Sequence, residues 1–174
     1  MKLLFSRWLK KQQGFTLIEI LIALAIAGVL FSGVTMATFQ IFSNNTRNNA
    51  RMTAVQQVQS GVYWVSHDVQ MAQNIEPSGV TGFPLQLSWV EWETNDVYSV
   101  LYSLDQGDLV RTYSVNGGPE EELKIAHYIN TDSDKTFCSN SGRVLTLSLT
   151  ASVPAGATMM NETRKVEVLA RPGS

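Results

Sequence analysis

From Phe15 to Phe42 the chain is predominantly apolar, and one acid, Glu19, stands inside the run. Ile20 to Phe39 supplies twenty consecutive uncharged residues. At 1.5 Å per residue these form a helix of roughly 30 Å, the thickness of a bilayer's hydrocarbon core. A helical period continues beyond it. Val55, Val58, Val62, Val65, Val69 and Ala72 draw one apolar stripe, while Gln56, Gln57, Gln59, Ser66, His67, Asp68, Gln70 and Gln73 fall on other faces. Pro77, followed by Ser78-Gly79, predicts a stop near Ile75. The pattern therefore predicts one helix of roughly 60 residues with no internal proline. Gly28, Gly33 and Ser43-Asn44-Asn45 are candidate bends. So short a valine stripe fits a face packed on the protein's own sheet better than a coiled-coil seam.

After Gly82 the period becomes two. Leu145, Leu147, Leu149 and Ala151 alternate with Val144, Thr146, Ser148 and Thr150, which predicts a strand with one buried face. Tyr98, Val100, Tyr102 and Leu104 alternate in the same way, and residues 109–115 follow through Asp105-Gln106-Gly107-Asp108. Gly107 accepts a positive φ at little cost, so a hairpin is expected there. Residues 85–92, 124–128 and 163–169 are further strand candidates. The expected class is α+β, a long N-terminal helix packed on a C-terminal antiparallel sheet. Four segments follow: 1–14 as a basic leader, 15–42 as a membrane helix, 43–76 as the amphipathic half of the helix, and 77–174 as a β-rich domain.

Charge sharpens the first segment. The chain has 174 residues and a formal charge of −2, with Lys2, Arg7, Lys10 and Lys11 in a leader that contains no acid. Basic residues before an apolar run hold that end in the cytoplasm, so the rest is expected across the membrane as a single pass. Without the leader, nine basic residues face fifteen acidic ones, a poor electrostatic match for nucleic acid. A secretory signal peptide would explain Ala25-Ile26-Ala27, but the apolar run continues past it. A plain anchor gives no reason for Glu19, since a charge near the bilayer centre costs roughly 2.5–3.5 kcal/mol on insertion scales.

Gly14-Phe15-Thr16-Leu17-Ile18-Glu19, behind a short basic leader, resembles the processing site of type IV prepilins and type II secretion pseudopilins. The resemblance implies cleavage between Gly14 and Phe15 by a prepilin peptidase that also N-methylates Phe15. It implies that Glu19 meets the methylated ammonium of a neighbouring subunit and sets assembly register. A charge in an apolar filament core is costly unless paired. The helix-plus-sheet order is the pilin layout. Residues 97–111 and the terminal Val166-Glu167-Val168-Leu169-Ala170-Arg171 look like minor pseudopilins of the J type or similar minor pilins. Cys138 is the only cysteine, so the C-terminal disulfide of many pilins cannot form.

Catalytic signatures are absent from the sequence. His67 and His127 lack ligand-spaced partners, and no phosphate-cradling glycine loop or supported Cys–His pair is found. Asn130-Thr131-Asp132-Ser133-Asp134 places Asn130, Asp132 and Asp134 at alternate positions, as calcium loops do, and some pseudopilins bind calcium. The turn glycine and closing Glu of an EF-hand are missing. The expected function is a minor pilin or pseudopilin, not an enzyme, assembled with sister subunits into a secretion pseudopilus or pilus tip. The alternative is a membrane-anchored extracytoplasmic binding or adhesion module.

Overall fold

The computed structural model describes residues 14–77 and 82–171. Most of the leader and the pair Ser78-Gly79 lie outside the described residues. One helix, α1, spans Leu17–Met71. The chain divides into two compact units after Ser43.

In the first unit, α1 is rich in Leu, Ile and Ala, and every large apolar side chain from Phe15 to Phe42 is solvent-exposed. This helix is long and apolar enough to cross a membrane. Its hydroxyls are turned onto their own backbone. Ser32 Oγ donates to the Val29 carbonyl at 2.8 Å, Thr35 Oγ1 to Phe31 at 2.8 Å and Thr38 Oγ1 to Val34 at 2.9 Å. Each of these three hydroxyls is thereby satisfied inside the helix, as a lipid environment demands.

In the second unit, the rest of α1 packs on two antiparallel sheets. The first holds β1 (Asn74–Pro77), β2 (Leu85–Val90), β3 (Val97–Asp105), β4 (Asp108–Val115) and β5 (Glu121–Ala126), paired in sequence order. The second holds β6 (Phe137–Ser141), β7 (Val144–Ala155) and β8 (Thr158–Leu169). The α+β pilin layout is thus observed, with the expected single sheet divided into two. Backbone bonds link their neighbouring segments. The Gly82 N–H donates to the Cys138 carbonyl at 2.8 Å and the Asn130 N–H to Thr150 at 2.8 Å.

Between β3 and β4, Gln106 and Gly107 both have positive φ, the geometry of a two-residue hairpin turn. Val58, Val65, Val69 and Ala72 are buried, together with Ala50, Ala54 and Gly61. At Gly61 the helix packs tightly against both sheets. A Cβ there would meet Leu149 Cδ1 of β7 at 2.9 Å and Leu109 Cδ2 of β4 at 3.2 Å. Polar residues of the helix also reach the sheet: Ser60 Oγ donates to the Ile125 carbonyl at 2.7 Å, and Gln57 Oε1 accepts from the His127 N–H at 2.7 Å.

Three expectations are corrected. The helix ends at Met71, not near Ile75, and residues 74–77 form β1. What ends the helix is capture by β2: the Gln73 N–H donates to the Ser88 carbonyl at 2.9 Å, and Gln73 Oε1 accepts from the Val90 N–H at 3.1 Å. β7 is buried on both faces in its middle, because Ser148 and Thr150 are covered by the 135–136 backbone. Thr150 Oγ1 donates to the Lys135 carbonyl at 2.8 Å. Asp68, expected among the polar faces, is buried.

Candidate functional site

Residues 14–16 lie outside the helix and are exposed. Thr16 is its N-cap: the Thr16 carbonyl accepts the N–H groups of Glu19 at 3.1 Å and Ile20 at 3.2 Å, and Thr16 Oγ1 accepts that of Glu19 at 3.4 Å. Thr-x-x-Glu ahead of an apolar run is a capping-box sequence, a signal in the chain for where this helix starts. It puts the Glu19 carboxylate in the first turn, where the N-terminal dipole favours an anion. Among the described residues Glu19 has no ion-pair partner. Among the described residues no atom lies within 4 Å of where a Cβ on Gly14 would sit.

Asp68, unlike Glu19, is buried and fully engaged. Asp68 Oδ2 accepts from Tyr102 Oη at 2.5 Å and from Arg111 Nε at 2.7 Å, and Arg111 Nη2 reaches Oδ1 at 3.4 Å. Tyr102 and Arg111 face each other across β3 and β4. The guanidinium also lies over Trp64 at 5.3 Å and Tyr113 at 4.9 Å. Burial, then the Asp68 charge, pushes the Tyr102 hydroxyl pKa far above its ordinary value. For Arg111, burial pulls downward, but the bond to and charge of Asp68 outweigh it and raise the pKa. This cluster ties the helix to the five-stranded sheet and holds no group free for catalysis.

The remaining candidates are dispersed. His127 Nδ1 lies 2.8 Å from Asp108 Oδ1, and Lys124 Nζ lies 2.9 Å from Asp108 Oδ2. His67 is exposed beside Asp68. Cys138 is free and buried, with its thiol donating to the Gly82 carbonyl; burial pushes its pKa up to about 11. In the 130–134 loop, Asn130 Oδ1 accepts the Asp132 N–H at 2.9 Å and Asp132 Oδ1 accepts the Asp134 N–H at 3.2 Å. Two of the three side chains read as calcium ligands therefore brace their own loop. Among the described residues no three His, Cys, Asp or Glu side chains converge on a point that could hold a metal.

An exposed apolar helix leading into a helix-on-sheet unit is the layout of a type IV pilin fold. The model of the prokaryotic N-terminal methylation motif matches residues 9–35, and this stretch is a type IV prepilin leader with the head of its helix. Such a leader implies processing by a prepilin peptidase, membrane anchoring and assembly with other pilins. No curated protein and no solved structure matches the chain.

Proposed function

We propose that the chain is a minor pilin or pseudopilin, a structural subunit of a type II secretion pseudopilus or of a type IV pilus tip. The methylation motif, at the head of a helix whose large apolar side chains are all exposed from Phe15 to Phe42, carries this reading. Prepilin peptidase cuts between Gly14 and Phe15 and methylates Phe15. The surroundings of Gly14 support that site: packing among the described residues does not demand glycine there, whereas a protease approaching the backbone does. The subunit waits in the inner membrane as a single-pass protein with its sheets outside the cytoplasm. Assembly then moves the exposed apolar side chains from lipid to neighbouring helices.

Glu19 supplies register in this scheme. It lacks an ion-pair partner among the described residues, and the Phe15 ammonium of a neighbour provides one. An ammonium left unpaired in an apolar core costs several kcal/mol. Glu19→Val is therefore expected to insert and to be cut normally, but to co-purify poorly with sister subunits from membranes. Glu19→Asp falls between, because its shorter side chain reaches less far. Normal co-purification of cleaved Glu19→Val would refute the register role and leave the processing assignment intact.

A further inference from the structure

We propose that the β2–β3 loop is a docking tip for a basic protein surface that offers an apolar slot to Trp92. This loop, residues 91–96, holds Trp92 at 82% exposure. An indole so exposed gains nothing for the fold, and tryptophan is the residue type most enriched among interface hot spots.

The loop holding it is pinned. The Glu91 N–H donates to the Asp96 carbonyl at 2.9 Å and the Asn95 N–H returns to the Glu91 carbonyl at 2.8 Å. Asn116, from the β4–β5 loop, grips it from the side: Nδ2 donates to Asp96 Oδ1 at 2.7 Å, and Oδ1 accepts the Val97 N–H at 2.8 Å. Beneath it Trp89 and Tyr98, opposite each other on β2 and β3, stack 5.4 Å apart at 9°. A side chain presented on a fixed loop loses little further freedom on binding.

Charge selects the partner. Antiparallel order puts the β2–β3 and β4–β5 loops at one end of the sheet. That end carries Glu91, Glu93, Asp96, Glu120, Glu121 and Glu122, six of the fifteen acids in the chain. Among the described residues none of the six has an ion-pair partner. Arg111 is the one basic residue from position 52 to 123, and it is bound to Asp68. A field of one sign around a hydrophobic anchor steers an oppositely charged protein surface and repels an anionic lipid surface. The inference does not depend on the filament reading.

The test uses the full chain in neutral detergent and two fluorescent peptides of equal positive charge. One alternates leucine with arginine, the other serine with arginine, and anisotropy reports binding. The leucine peptide is expected to bind more tightly. It should lose about tenfold or more in affinity on Trp92→Ala and recover most of it in Trp92→Phe. Glu91→Gln combined with Glu93→Gln, or added salt, should weaken both peptides. An unchanged melting temperature for Trp92→Ala shows that the loss is not unfolding. Equal binding of the two peptides, or unchanged affinity in Trp92→Ala, overturns the proposal. Trp92-dependent self-association in sedimentation overturns it in favour of a second copy of the chain. Trp92-dependent binding to anionic vesicles overturns it in favour of a lipid surface.

Discussion

Asp68→Ala tests how the helix is held to its sheet. The substitution removes the acceptor for Tyr102 Oη and for Arg111 Nε and Nη2. Tyr102 is fully buried and the Arg111 side chain is 14% exposed, so water replaces little of what is lost. Breaking a buried ion pair from one side costs about 3–5 kcal/mol, and an orphaned hydroxyl adds about 1–3 kcal/mol. The terms do not add fully, since Arg111 keeps its contacts with the Trp64 and Tyr113 rings. The expected loss is about 4 kcal/mol, or about 10–15 °C in Tm for a unit of this size. Thermal unfolding of the detergent-solubilised chain, followed by tryptophan fluorescence, reads it. Replacing the whole cluster with apolar residues, Asp68→Leu, Arg111→Met and Tyr102→Phe together, is expected to fall within about 1 kcal/mol of the original, because no charge is left stranded. A loss below about 1 kcal/mol for Asp68→Ala would refute the reasoning. So would a triple variant as weak as the single one.

Three further outcomes are expected. Gly61→Leu should cost about 3 kcal/mol in the same unfolding assay, since even a Cβ at that position lies 2.9 Å from Leu149 Cδ1; an unchanged Tm would show that the helix does not press on both sheets there. Stability should fall as pH rises: the unfolded chain releases the Cys138 proton near 9.0 and the folded chain only at about 11, so the thiol's contribution is complete below pH 9.0 and lost through that interval. Tyr102, raised from 10.0, acts in the same direction at higher pH, and Cys138→Ala should flatten the lower part of the curve. Calcium chelation should leave Tm unchanged, because Asn130 and Asp132 brace their loop without an ion; a drop reversed by calcium and abolished in Asp132→Ala would instead establish the loop as a calcium site.

Elements with a strong period were legible in the sequence, and those made by pairing were not. The apolar run signals a membrane-length helix, and the valine stripe and the alternation in β3 and β7 signal burial directly. β1 has only four residues and ends in a proline, so nothing local marks it; it exists because β2 offers it a partner. β6, Phe-Cys-Ser-Asn-Ser, shows no alternation and is defined by its pairing with β7. Asp68 was misplaced because its charge suggested solvent. A signal was present: it lies three residues after Val65 and four before Ala72, and Arg111 stands alone at an inward position of an alternating strand. Such a lone pair, separated by 43 residues, is visible only when helix and strand are considered together. At the N-terminus the methylation motif was legible because a processing signal is read along the chain, and it is the source of the roles proposed for Gly14, Phe15 and Glu19. The Trp92 loop escaped notice because exposure of an aromatic side chain has no local signature.

The central claim is that this chain is a processed filament subunit. Intact-mass measurement of the protein extracted from membranes of its producing cell tests that most directly. The account predicts a chain that begins at Phe15, heavier by one CH₂ than the unmodified form, and the uncut precursor in cells lacking the prepilin peptidase. A chain that keeps residues 1–14 in the presence of active peptidase, or one cut within residues 25–28, would contradict it.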